Sequence, residues 1–160
     1  MSSLRFYADH LIHFLTSHSR HGTHSPFVYS LVDEVIYAPV SKGEPDDKVE
    51  RLVYRLIRRF SPRMIYRTGD PLPAQPLDFV ITPGVGTDPG VAIAQLRQLW
   101  PQLHPNSVVV IPGIYDTVAM KKYWHTLQQR TDVTVTIDLF HVGLAFFRTG
   151  QAKENFRIRF

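Results

Sequence analysis

Three groups of residues have the types and spacing that chemistry uses. The first is Gly84-Val85-Gly86-Thr87-Asp88-Pro89-Gly90, which follows the apolar run Leu77-Asp78-Phe79-Val80-Ile81-Thr82. A glycine-rich loop between a strand and a helix is where backbone amides cradle phosphate. Here the third glycine falls one residue late for a dinucleotide fingerprint, and no acid-tipped second strand follows, so a tight turn is the simpler reading. The second group is His10, His13, His18, His21 and His24, five histidines within fifteen residues. Zinc takes three or four ligands at about 2.1 Å, and His10 and His13 can share a helix face, but no HExxH spacing occurs. No metal site is expected, and His24 is expected to hydrogen-bond across a helix junction. The third group is Lys48, Arg51, Arg55, Arg58, Arg59, Arg63 and Arg67. Such a run can track a phosphate backbone, with Tyr54 or Tyr66 stacking on bases. Nearby acids dilute it and no nucleic-acid module is spelled out, so nucleic acid is the weaker alternative. Nucleophilic catalysis finds no GxSxG elbow. Asp116 and His125 lie nine residues apart on one helix, and Asp78 and Asp138 are expected as strand-end or surface carboxylates. No catalytic residue is assigned.

The elements that must position these groups follow from periodicity. Ser3 to Ser17 predicts a helix burying Leu4, Tyr7, Ala8, Leu11, Ile12 and Leu15. Ser25 can cap a second helix with Pro26 in its first turn and Phe27, Val28, Leu31, Val32, Val35 and Ile36 inward. After a loop from Ala38 to Asp47, a third helix from about Asp46 to Phe60 carries the stripe Val49, Leu52, Val53, Leu56, Ile57 and Phe60. Its arginines fall on the remaining faces, with acids in its first turns and arginines in its last, as the helix dipole favours. Arg63 to Thr68 is a short strand ending at Gly69. Three prolines between Asp70 and Pro76 forbid a helix before the next strand, Leu77 to Thr82. A helix from Pro89 to Trp100 and a buried strand from Ser107 to Ile111 come next, then a helix to about Arg130 with Val118, Met120, Tyr123, Trp124 and Leu127 packing. Thr131 to Phe140 alternates apolar and polar residues, the sign of a half-exposed strand. Val142 to Arg148 returns antiparallel, and Phe156, Ile158 and Phe160 can join the sheet or pack on it.

The wording of the chain adds a resemblance. His21-Gly-Thr-His-Ser-Pro-Phe-Val-Tyr29 resembles the amino-terminal HGxHSPFVY signature of a bacterial family of class I S-adenosylmethionine-dependent methyltransferases. Val133 to Phe147 and the closing Phe156-Arg-Ile-Arg-Phe160 resemble that family's carboxyl end. The resemblance implies a reduced Rossmann-like α/β sheet of about five strands, mostly parallel with an antiparallel carboxyl-terminal pair, preceded by amino-terminal helices. In the family the first strand ends in an acid-containing glycine turn that wraps the cofactor. Here the matching Ile65-Tyr66-Arg67-Thr68-Gly69-Asp70 keeps the glycine but has Arg67 in the acid's place. The proline loop replaces the units that follow. The family's aspartates at the ends of its fourth and fifth strands give way to Thr82-Pro83-Gly84 and Ile111-Pro112-Gly113. Gly69, Gly84 and Gly86 are thus expected as the vestige of a cofactor cradle. The implied protein is a non-catalytic, methyltransferase-like scaffold with no cofactor and a binding or assembly role. The alternative is an active methyltransferase holding S-adenosylmethionine in an atypical way around Gly69 and Gly84.

Totals bound the rest. One hundred and sixty residues, 44% hydrophobic and 12% aromatic, fit a single domain, with residues 1–60 as a helical part and 61–160 as the α/β part. No apolar run reaches the ~20 residues of a membrane span, and the amino terminus lacks a signal peptide's apolar core, so the cytoplasm is expected. With no cysteine, thiolate chemistry is excluded. A net charge of +4 favours weak attraction to polyanions. Losing strands should leave Arg63 to Thr68 as a sheet edge, and exposed edges tend to be covered or paired. A homodimer, or contact with a full-length methyltransferase relative, is the expected partnership, through this edge or the helical face beside it.

Overall fold

The computed structural model describes residues 3–18, 24–83 and 86–160. Its centre is a six-stranded sheet with the order β1-β2-β3-β5-β4-β6. The strands are β1 (Ile65–Arg67), β2 (Leu77–Ile81), β3 (Leu103–Pro112), β4 (Val135–Asp138), β5 (Val142–Phe146) and β6 (Glu154–Arg157). β1, β2 and β3 are parallel neighbours, β5 runs antiparallel between β3 and β4, and β6 lies parallel to β4. Six strands rather than about five result because the carboxyl terminus pairs with β4 instead of packing over the sheet. Parallel neighbours normally need a long crossover. β1 and β2 manage with residues 68–76 because β1 is only three residues long.

Helices cover both faces. On one side lie α2 (Pro26–Leu31), the π-helical turn Val32–Ile36 that continues it, and α3 (Lys48–Phe60). Ser25 caps α2 and Pro26 opens it, as the sequence predicts. Leu31, Val32, Leu52 and Leu56 pack there on Phe79, Val110, Ile137 and Leu144. On the other side α4 (Pro89–Leu99) and α5 (Val118–Gln129) bring Leu96, Leu99, Trp124 and Leu127 onto Leu77, Val109 and Ala145. Val118, at the first position of α5, is exposed rather than packed. Gly143 on β5 admits the Trp124 ring: a Cβ there would stand 2.7 Å from ring atoms. Among the described residues no helix is long and apolar enough to cross a membrane.

Two expectations are overturned. β4 is not half-exposed: Thr136 and Asp138 are as buried as Val135 and Ile137. The strand lies inside the sheet, and α5 covers the polar face, where Gln128 and Trp124 meet Thr136 and Asp138. The second concerns α1 (Leu4–Thr16), which turns its polar side inward. Asp9 and His13 are buried, while Leu4, Tyr7, Leu11, Ile12 and Leu15 face outward. The reason is a set of polar tethers beneath the helix. Asp9 accepts from Arg5 (2.8 Å) and from Lys121 of α5 (2.5 Å), Arg5 also donates to the Tyr115 and Asp116 carbonyls, and His13 meets Asp138 at the end of β4. A buried charge without such partners costs several kcal/mol, so the side of α1 that carries the partners is the side that faces in.

Candidate functional site

Ligands of open α/β sheets bind beyond the carboxyl ends of the strands, and two grooves open there. The first, of about 610 Å³, lies between α3 and the ends of β1 and β2. Val49, Val53, Tyr54 and Ile57 form its apolar wall, with Arg67, Thr82 and Pro83 opposite and Glu50 as its carboxylate. The second, of about 680 Å³, lies between the β2–α4 loop, the β3–α5 loop and the start of α1, and contains Asp88 and Asp116. Asp88 is already engaged as the cap of α4, accepting from the Val91 amide at 3.2 Å.

The predicted cradle residues fall around these grooves. Gly69 takes φ +99° in the turn closed by the Asp70 amide on the Arg67 carbonyl, and Gly86 takes φ +94° ahead of α4. A Cβ at either would meet nothing within 4 Å, so each glycine answers to a left-handed backbone. Gly84 lies outside the described residues, as does His21. Arg67 is exposed, and among the described residues no carboxylate pairs with its guanidinium.

The histidines separate. His10 packs edge-on against Phe140 with ring centroids 4.6 Å apart, and His13 Nε2 lies 2.9 Å from Asp138 Oδ1 and 3.2 Å from the Asp138 carbonyl. Both of those atoms accept, which assigns the proton to Nε2. His18 joins the sheet by backbone bonds to Arg157 and Arg159. His24 is exposed and makes no hydrogen bond to a described residue; the junction of residues 19–23, across which its contact is expected, lies outside the described residues. Among the described residues no group of three His, Asp or Glu side chains is placed to hold a metal ion.

Asp138 is the most connected carboxylate, and it is buried rather than superficial. Oδ1 accepts from the Phe140 amide (3.0 Å) as well as His13, and Oδ2 accepts from Tyr115 Oη (2.7 Å) and Trp124 Nε1 (3.3 Å). Burial by itself would raise its pKa, but the bonds from His13, Phe140 and Tyr115 outweigh it and hold the group below the usual carboxylate range. The same setting raises the Tyr115 phenol, through burial first and the Asp138 charge second. Phe140 sits at φ +67°, a strained conformation for a bulky residue. Its ring is locked by stacking on Tyr115, centroids 4.9 Å apart. With every acceptor position filled, the cluster is a tether and not an acid–base pair.

A second cluster lies at the amino ends of the strands and contains the residue types of a nucleophilic triad. Asp78 Oδ1 meets His104 Nε2 at 2.9 Å, and Ser107 is adjacent. The wiring excludes the triad. Ser107 Oγ donates to the Leu77 carbonyl (2.6 Å) and accepts from the His104 amide, while His104 Nδ1 accepts from the Asn106 amide (3.2 Å). The imidazole never touches the hydroxyl. Asp78 also accepts from the Arg63 and Met64 amides, which fixes the entry to β1. Although burial opposes ionisation, those bonds and His104 lower its pKa.

The basic run on α3 is largely consumed inside the molecule. Arg55 donates to Glu44 through Nε and Nη2, and to the Val35, Ala38 and Pro39 carbonyls. Glu44 is held down to about 2 by this guanidinium. Arg51 donates to the Pro45 and Asp46 carbonyls, and Arg59 pairs with Glu34 at 3.3 Å. Arg51 and Arg55 thus staple the loop of residues 38–47, and Arg59 reaches back to the π-helical turn.

No protein-family model matches the chain, and no curated protein or solved structure matches it either. The Asp138 and Arg55 clusters escaped the sequence reading because their members lie far apart in the chain or looked like solvated charges. The one available signal was the spacing of Asp9 and His13, which put two ionisable groups on a single side of α1.

Proposed function

We propose that the chain is a shortened methyltransferase-like scaffold that does not use S-adenosylmethionine and serves in binding or assembly. The sheet supports the scaffold: it is mostly parallel, and β5 near the carboxyl end runs antiparallel to β3 and β4, in keeping with the antiparallel carboxyl-terminal pair that the resemblance implies. The single observation that carries the loss of the cofactor is Arg67 on the wall of the first groove, at the tip of β1. A guanidinium ~4 Å from a sulfonium is repelled by about 1 to 4 kcal/mol. Thr82-Pro83 and Pro112, at the tips of β2 and β3, offer no carboxylate to compensate. The residues present do not fit this cofactor.

The active-enzyme reading has one observation in its favour, Glu50, which places a carboxylate in the same groove from α3. Titration calorimetry with S-adenosylhomocysteine and S-adenosylmethionine separates the two. No heat at millimolar ligand is expected. Micromolar binding that is lost in Glu50→Gln would overturn the proposal and establish an atypical cofactor site. The nucleic-acid reading loses support from the internal use of Arg51, Arg55 and Arg59.

As a pairing surface, the edge strand β1 is poorly furnished. It is three residues long, and the Arg67 amide is capped by Asp70 Oδ2 at 2.8 Å. Short, blunted edges are how sheets avoid adding strands from other chains. The assembly role therefore needs another surface.

A further inference from the structure

We infer that the outward face of α1 is a self-association surface and that a second copy of this chain, packed antiparallel about a two-fold axis, is its occupant. The inference gives the assembly role a surface and depends on that role alone, not on the loss of the cofactor.

Leu4, Tyr7, Leu11, Ile12, Phe14 and Leu15 are between 47% and 87% exposed. At 3.6 residues per turn they fall, with Ala8, within about 160° of arc. The inward arc holds Asp9 and His13, tethered to Lys121 and Asp138. α1 therefore cannot roll its apolar side onto its own sheet without stripping the partners from two buried ionisable groups. The helix is fixed with its greasy face out.

Area and charge identify the occupant. Taking ~150–200 Å² for a fully exposed large side chain, these exposures leave roughly 600 Å² of apolar surface on each copy. A two-fold contact then buries about 1,200 Å², above the ~1,000 Å² that marks a specific interface. A monomer's largest apolar patch seldom exceeds about 600 Å², so this one is at the limit of what a free surface carries. No residue of the stripe is itself charged, and the Arg159 guanidinium that stacks on the Phe14 ring at 4.2 Å sits at the carboxyl end of α1, so an antiparallel two-fold keeps the two copies' guanidinia at opposite ends of the contact and brings no like charges together. The same patch on both copies is what an isologous dimer requires, and Ala8 near its middle lets the two helices approach closely. A lipid surface suits it less. Interfacial helices carry Lys and Arg on the opposite face to meet headgroups, whereas the only basic residue of that type here, Arg5, is spent on Asp9 and two carbonyls.

The chain has no cysteine, which makes a crosslinking test direct. Ala8→Cys under mild oxidation should give a covalent dimer at micromolar protein, whereas Thr126→Cys, an exposed control on α5, should not. Sedimentation should report a dimer for the wild type. Leu11→Glu should weaken it by roughly 100-fold or more, because each copy would bury an unpaired carboxylate. The far-UV circular dichroism of Leu11→Glu, measured at the same concentration, should match the wild type, since Leu11 is mostly exposed and lies on the side of α1 away from Asp9 and His13. A wild type that sediments as a monomer would overturn the inference. So would a dimer that survives Leu11→Glu, one that dissociates instead with Ile65→Asp on β1, or a monomer that floats with anionic vesicles. Calorimetry with the cofactor reads the other proposal independently, so the two can fail separately.

Discussion

Asp138→Asn is the sharpest test of how this chain holds its shape, because the substitution keeps the volume and removes only the acceptor chemistry. Each carboxylate oxygen serves two donors, His13 and the Phe140 amide on Oδ1, Tyr115 and Trp124 on Oδ2. Whichever way the asparagine amide is turned, its NH2 faces a pair of donors. The Tyr115 hydroxyl can rotate to accept, but Trp124 Nε1, or in the other orientation the Phe140 amide, has no such freedom. One to two buried donors are orphaned at about 1–3 kcal/mol each, and the bonds that survive lose their charge, so a cost of about 2–4 kcal/mol is expected. That is a large part of the ~5–15 kcal/mol by which domains are stable. Urea unfolding at neutral pH should show a lowered midpoint at unchanged slope. The pH dependence adds a second reading. The folded pKa of Asp138 lies below its ordinary value, so its contribution is complete above the unfolded value near ~3.9 and is lost as pH falls through the folded pKa. The gap between wild type and Asp138→Asn should therefore narrow on acidification through that window. A neutral-pH cost under about 1 kcal/mol would refute the reasoning, since even one orphaned buried donor costs that much.

Two further substitutions probe the scaffold. Arg55→Lys keeps the charge but not the planar fork that reaches Glu44 and three carbonyls together. Amide exchange in residues 38–47 should quicken while the sheet stays protected, and unchanged exchange there would show that the loop is held by something else. Gly143→Ala would place a methyl group 2.7 Å from the Trp124 ring and should cost about 1–3 kcal/mol through overpacking. Thermal unfolding reads this, and a midpoint equal to the wild type would mean that the ring moves freely.

Local pattern carried much of the architecture. The apolar stripe of α3, the Ser25-Pro26 start of α2, the uninterrupted valines of β3 and the proline loop after β1 each act over a few residues, and each element stands where its pattern places it. The turn glycines Gly69 and Gly86 were legible for the same reason, because a left-handed backbone is a local demand. The sheet edge at β1 could also be anticipated, although not its blunting by Asp70.

The inward face of α1 could not be read from its own residues. Periodicity favours Leu4, Leu11 and Leu15 inside, and only the tertiary structure reveals Asp138 at the end of β4 and Lys121 on α5 waiting for partners that His13 and Asp9 supply. The same holds for Arg55, which reads as a solvated charge on a helix and proves to be the clamp of the loop that leads into it. Hydrophobic spacing determines which elements form, because it acts within one or two turns of chain. Which side of an element is buried is decided by where ionisable groups more than a hundred residues apart find each other, since an unpartnered buried charge outweighs the burial of several leucines.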